Sequence, residues 1–167
     1  MSLNKEIERK WLIDKSKIPF NLEECESLRL KQGYISFSPT IRIRSENDTR
    51  FVLCVKTKPA PGSLSRDEFE CDITEGDYNT LLTKTEGIII EKTRYLKKDE
   101  YGYLMEIDIF EGALEGLSYM EIEFPSQQEA VLYKTPEWAL KDVSCEARYK
   151  NAALAKYGRL EPDGSME

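Results

Sequence analysis

Pairs of like-charged residues spaced two apart, each pair threaded between apolar residues, recur along most of this chain. Side chains alternate between the two faces of a β-strand, so this spacing puts both charges of a pair on one face and their apolar neighbours on the other. The pattern sets Glu6, Glu8 and Lys10 against Ile7 and Trp11, and Arg42 and Arg44 against Ile41 and Ile43. Lys56 and Lys58, in phase with Cys54, oppose Leu53 and Val55; Glu68 and Glu70 are followed by Asp72; Lys92 and Arg94 follow the apolar run 88–90. Glu106 and Asp108 alternate with Met105, Ile107 and Ile109, and Glu121 and Glu123 with Met120, Ile122 and Phe124.

Eight strands accommodate this pattern, at roughly 4–13, 28–37, 40–46, 50–58, 66–73, 88–98, 101–110 and 119–125. Turn chemistry separates them: Ser38-Pro39, Glu46-Asn47-Asp48, the Pro59-Ala60-Pro61-Gly62 segment, and Asp99-Glu100-Tyr101-Gly102. Helices fit at about 75–86 behind a Thr74 cap, at 126–134 behind the capping box Ser126-Gln127-Gln128-Glu129, and at 146–157 ahead of Gly158. Segment 14–27 is ambiguous, because Pro19 argues against one continuous helix. Trp11, Trp138, Leu30, Phe51 and the run 88–90 are expected in the core or under helices.

For a single antiparallel strand, a charged face turned to water is the plainer explanation. Seven such strands, with paired acids, paired bases and few neutral polar residues, point elsewhere. Closing the eight strands into a barrel turns the charged faces inward and the apolar faces outward under helices. The expected class is α+β: an eight-stranded antiparallel β-barrel with a few covering helices. An interior lined with both signs is costly if empty. It makes sense where the bases hold a polyanion and the carboxylates hold divalent cations. Hard oxygen donors suit Mg²⁺ or Mn²⁺, and Arg and Lys suit phosphate oxygens.

Composition narrows the chemistry. Histidine is absent, which removes Ser-His-Asp triads and HExxH zinc sites. The four cysteines, Cys25, Cys54, Cys71 and Cys145, form no CxxC pair and read as reduced, mostly buried small residues. A net charge of −7 argues against a nucleic-acid partner, and no long apolar run predicts a membrane span. The N-terminus has no apolar secretory segment, so the expected compartment is cytoplasmic. The 167 residues suit a single domain, with a core at about 4–157. Oligomeric state stays open, a homodimer included.

Glu6-Ile7-Glu8-Arg9-Lys10 resembles the N-terminal ExExK signature of the CYTH, or triphosphate tunnel, superfamily. The later charged pairs arrive in that family's order, and Arg148-Tyr149-Lys150-Asn151 looks like its late basic motif. The opening, Gln32-Gly33-Tyr34 and Glu91-Lys92-Thr93-Arg94-Tyr95 look like its short prokaryotic members. The resemblance covers roughly residues 4–157. It implies an eight-stranded tunnel and a divalent-metal-dependent triphosphatase acting on a small triphosphate compound, inorganic triphosphate first among them.

On that resemblance Glu6, Glu8, Glu121 and Glu123 are the metal candidates, and clustered carboxylates do need a cation or a shared proton. Arg42, Arg44, Lys56, Arg94 and Arg148 are the phosphate clamp. Lys92 belongs to the clamp and, with Lys10, acts at the reacting phosphate. Lys58 reads as a rim residue. Glu106 and Asp108 join the metal site or orient bases, Glu68 and Glu70 pair with nearby Lys or Arg, and Tyr34 donates to a phosphate or packs. The competing functions are a class IV-like adenylate cyclase, a thiamine triphosphatase and a non-catalytic polyphosphate-binding module.

Overall fold

The computed structural model of the protein describes residues 7–56 and 68–159. Among the described residues nine strands form one antiparallel sheet: β1 (Ile7–Ile13), β2 (Glu26–Phe37), β3 (Thr40–Glu46), β4 (Arg50–Lys56), β5 (Glu68–Ile73), β6 (Glu86–Lys98), β7 (Leu104–Glu111), β8 (Ser118–Phe124) and β9 (Ala139–Asp142). Helices α1 (Glu75–Leu82), α2 (Gln127–Leu132) and α3 (Asn151–Tyr157) complete it. The ladder order is β5-β4-β3-β2-β6-β7-β8-β1-β9. All eight expected strands are present.

The strand arrangement departs from the sequence expectation in two ways. Four residues after α2 add β9, which takes the free edge of β1. That is the edge a closed barrel would have to give to β5, so the ladder stays open between β5 and β9 among the described residues. The sheet curls nonetheless: Leu12 on β1 and Tyr34 on β2, with β8, β7 and β6 between them, pack in one apolar cluster.

Local chemistry sets the element ends. Thr74 accepts from the Asp77 N–H and caps α1, and Ser126 does the same for Glu129 at α2. Asn47 and Asp48 take left-handed φ of 52° and 54° in the β3–β4 hairpin, a conformation Asn and Asp tolerate. Residues 14–27 form two short 3₁₀ turns, Lys15–Lys17 and Leu22–Glu24, capped by Asp14 and Asn21. The expected helix at 146–157 is divided at Lys150 into a 3₁₀ turn, Ala147–Tyr149, and α3. Gly87, at φ 72°, lets α3 approach β6; a Cβ there would lie 2.1 Å from the Ala155 carbonyl oxygen.

The two faces of the sheet carry different cores. On the outer face Trp11, Met105, Ile107, Met120, Ile122 and Phe124 are buried under Ala130 and Tyr133 from the α2 segment. On the inner face Tyr34, Ile90, Phe110 and Tyr119 meet Leu154 and Ala155 of α3, which fills one end of the curl. Burying each such large side chain contributes about 1.5–3 kcal/mol. Trp11, Leu30 and Ile90 are buried as expected, while Phe51 and Trp138 are half-buried. The cysteines are free, but only Cys54 is buried and Cys145 is exposed. No helix among the described residues is long and apolar enough to cross a membrane.

Candidate active site

Strand register gathers the charged pairs on the concave inner face. Residues directly opposite on neighbouring strands share a face, and the ladders match Lys10 with Glu121, Glu121 with Glu106, Arg94 with Asp108, Tyr34 with Arg42, Gln32 with Arg44, and Cys54 with Glu70. The apolar cluster around α3 occupies one end of this face, and the charges line the rest.

The β1–β8–β7–β6 wall is a continuous ion-pair network. Asp108 is fully buried, takes a very short contact from the Lys92 ammonium, and accepts Arg94 at two points, Nε to Oδ1 at 2.7 Å and Nη2 to Oδ2 at 2.8 Å. Arg94 reaches Glu106 through Nη1 at 2.5 Å and Glu121 through Nη2 at 3.4 Å. The buried Lys10 ammonium lies 3.0 Å from Glu121 and 4.0 Å from Glu8, and donates to the Tyr149 carbonyl at 3.4 Å. Four of these charged residues, Lys10, Lys92, Asp108 and Glu121, are nearly inaccessible to solvent.

Each titration shift follows from its neighbours. Burial opposes ionisation of Asp108, but Lys92 and the Arg94 hydrogen bonds outweigh it and hold the carboxyl down to about 2. Burial likewise opposes the charge on Arg94, and Asp108, Glu106 and Glu121 together raise its affinity for the proton. Glu8 goes the other way: burial and repulsion from Glu121 push it up to about 7, against the pull of Lys10. Its side chain is still 42% accessible, which places it at the mouth of the concavity rather than on its floor. Glu106 is raised by burial, with Arg94 pulling it down.

The opposite wall repeats the theme. Arg44 rests on Glu46 at 2.7 Å, and Arg50 braces Glu46 at 3.2 Å while reaching Asp72 at 2.9 Å and Glu70 at 4.0 Å. Tyr34 is buried, its hydroxyl accepting from Gln32 at 2.8 Å and bonded to Arg42. Lys56 is the ladder partner of Glu68 between β4 and β5.

The expected site residues therefore do not all serve alike. Lys10, Lys92, Arg94, Glu121, Glu106 and Asp108 are in contact on one wall, with Glu8 beside them. Arg42, Arg44, Lys56 and Tyr34 lie on the other. Glu123 is the ladder partner of Glu8 and is exposed. Arg148 is held by Glu146 at 2.8 Å and stacks 5.0 Å over Tyr149, beside the segment that touches Lys10. Glu70 lies 4.0 Å from Arg50. Glu6 and Lys58 lie outside the described residues.

Sequence reasoning missed Glu46, Arg50 and Gln32. Glu46 continues the phase of Arg42 and Arg44 by two residues, and Arg50 follows from the hairpin register that puts it opposite Glu46. Gln32 stands in a segment that carries part of the family resemblance, but nothing beyond its phase with Tyr34 marked it as an inner-face residue.

Among the described residues no three acidic or sulfur side chains form a ready-made cation cluster. The donor set still suits a hard divalent ion. Glu121 keeps a buried Oε1 that has the Lys10 ammonium nearby but no aligned hydrogen bond, and Glu8 sits close enough to Glu121 to be repelled by it.

The CYTH domain model matches residues 4–152. An inorganic triphosphatase of Nitrosomonas europaea is 38% identical over 154 residues, which span 90% of this chain and 96% of that protein. One from Acetivibrio thermocellus is 33% identical over 157 residues, spanning 92% and 95%. A crystal structure of an inorganic triphosphatase superposes with a TM-score of 0.72 at 33% identity, covering 93% of this chain and 97% of its own.

Proposed function

The chain belongs to the CYTH domain family, and on that premise we propose that it is a hydrolase of inorganic triphosphate that works with a divalent cation, Mg²⁺ or Mn²⁺. The observation that carries this reading is the inner face itself. Arg42, Arg44 and Lys56 on one wall face inward with Lys10, Lys92 and Arg94 on the other, and carboxylates stand at the mouth beside the second group. The similarity to inorganic triphosphatases over nine-tenths of the chain supports the substrate.

Each residue has a part in such a reaction. The guanidinium groups of Arg42 and Arg44 are forks suited to two phosphate oxygens each, and Arg94, gripped by Asp108, offers its Nη1 side, so that together they fix the position of the chain. Asp108 keeps Lys92 and Arg94 pointed into the concavity before substrate arrives, so that their orientation costs nothing at the moment of reaction. Lys10 and Lys92 stabilise charge on the transferred group as water attacks phosphorus and the bridging P–O bond breaks, giving phosphate and pyrophosphate with the water's proton lost to solvent. Glu8, Glu121 and Glu123, with Glu6, would hold the cation. When bound, such an ion neutralises oxygen charge and polarises the phosphoryl group.

The test is product analysis. Incubated with triphosphate and Mg²⁺ or Mn²⁺, the protein should release phosphate and pyrophosphate, and excess EDTA should stop it. ATP should remain largely intact. Efficient formation of cyclic AMP with slow triphosphate cleavage would move the assignment to the cyclase class, and binding without turnover to a non-catalytic module.

A further inference from the structure

Two of the cations assigned to the phosphate chain, Lys10 and Arg94, are in this structure paired with Glu121, assigned to the metal, and with its ladder partner Glu106. Glu121 is shared between Lys10 at 3.0 Å and Arg94 at 3.4 Å, and Glu106 takes Arg94 Nη1 at 2.5 Å. We propose that Glu106 and Glu121 act as internal substitutes for phosphate oxygens, so that phosphate chain and divalent cation bind cooperatively, each freeing the side chains the other needs. The inference rests on the triphosphatase reading and adds to it the order in which the site's charges are exchanged.

Arg94 shows which contacts exchange and which do not. Its Nε and Nη2 are gripped by Asp108, which has no exposure to solvent and also carries Lys92. That contact is fixed by burial on all sides. Its Nη1 points instead to Glu106, whose side chain is 33% accessible. A phosphate oxygen arriving in the concavity can replace the Glu106 carboxylate on Nη1 while the Asp108 grip stays intact. The Lys10–Glu121 pair is the second exchangeable contact. The ammonium is close, yet Glu121 Oε1 has no aligned hydrogen bond, so the pair is held by charge more than by geometry.

Charge balance then couples the two ligands. A phosphate chain that takes Arg94 and Lys10 for itself leaves Glu106 and Glu121 as unpaired carboxylates in a partly desolvated site, which is strongly unfavourable. A cation that takes Glu121 and its ladder partner Glu106 leaves Lys10 and Arg94 without those two counter-charges. When both bind, neither is stranded. Each ligand must therefore raise the affinity for the other by the same factor. The apo protein is correspondingly a poor trap for phosphate compounds that arrive without a cation.

Calorimetry on the full chain tests this without turnover, using a methylene-bridged triphosphate analogue. For the wild type, saturating Mg²⁺ should tighten analogue binding about tenfold or more, within the usual range of coupling between sites. The decisive comparison is made in EDTA, where no cation can complex the analogue in solution. There Glu121→Gln should bind the analogue more tightly than wild type, by about threefold or more, because its competitor for Lys10 and Arg94 has lost its charge. Glu106→Gln, a more exposed position that keeps the fold if Glu121→Gln does not, should do the same. Both variants should show a smaller gain on adding Mg²⁺. Metal-free binding by the two variants no tighter than that of the wild type, or wild-type binding indifferent to Mg²⁺, overturns the coupling while leaving the triphosphatase assignment standing. No binding under either condition overturns both.

Discussion

Arg94 meets Asp108 at two points, Nε to Oδ1 at 2.7 Å and Nη2 to Oδ2 at 2.8 Å, on adjacent strands whose register puts the two residues directly opposite. The acid is buried and Lys92 closes its remaining side. This trio holds two cations of the inner face in place, with Asp108 deeper than the carboxylates at the mouth.

Asp108→Ala should therefore cost more than a lost contact. It leaves Lys92 and Arg94 near each other without their shared counter-charge, and breaking a buried pair in this way costs about 3–5 kcal/mol. Urea unfolding measures it. Because the folded-state carboxyl is held near 2, below its usual value of 3.8, its contribution is complete above about pH 4 and is lost as pH falls through 2. The wild-type midpoint should drop over that acid window, and Asp108→Asn should flatten the drop.

Glu8 titrates in the opposite sense. Its folded-state value of about 7 lies above the ordinary 4.5, so the folded protein holds a proton that the unfolded chain has lost between those values. Folding thus takes up a proton there, and this residue's effect on stability becomes less favourable as pH rises from 4.5 to 7. A bound cation needs the ionised form. Mg²⁺ affinity should accordingly rise with pH up to about 7, with protons released on binding, and calorimetry near pH 6 in buffers of different ionisation enthalpy counts them. Glu8→Gln should abolish that release.

Arg42→Ala and Arg94→Ala should each weaken triphosphate handling by about 1.5–3 kcal/mol in kcat/KM, the usual worth of a hydrogen bond to a charged group. Arg42 lies opposite Tyr34 and Arg94 opposite Asp108, on the two separate walls, so the losses should be nearly additive in the double variant. Wild-type efficiency in both variants would place the phosphate chain elsewhere.

Spacing made the two faces legible, and with them the inner-facing residues of most strands. A period of two needs no knowledge of neighbours, so Lys92, Arg94, Glu106 and Asp108 could be set on one face from the sequence alone. What the period does not carry is the strand order. Glu121 read as a metal ligand, and only the adjacency of β1, β8, β7 and β6 brings it between Lys10 and Arg94. The open ladder was illegible for a similar reason. It depends on β9, four mostly exposed residues with no alternation of their own, whose place is set by tertiary contact with β1.

Arg9 sits inside the Glu8–Lys10 signature yet belongs to the other face. Its guanidinium donates to the carbonyls of Ala130 at 2.9 Å and Tyr133 at 2.8 Å, pairs with Asp142 at 2.6 Å, and lies 4.6 Å over the Trp11 ring. It thereby ties the end of α2 and strand β9 to the outside of β1, the strand whose inner side carries Glu8 and Lys10. Arg9→Ala removes charged donors from two carbonyls at once and should destabilise the fold by about 3 kcal/mol. Arg9→Lys should recover only part of this, because an ammonium cannot reproduce the planar fork that reaches two carbonyls and a carboxylate together. Successive strand residues point to opposite faces, so neither change touches the concave surface directly. At a temperature where the variants remain folded, KM for triphosphate should match wild type while the unfolding midpoint is lowered. A large rise in KM with unchanged stability would instead assign Arg9 to the phosphate-binding face, against the geometry of β1.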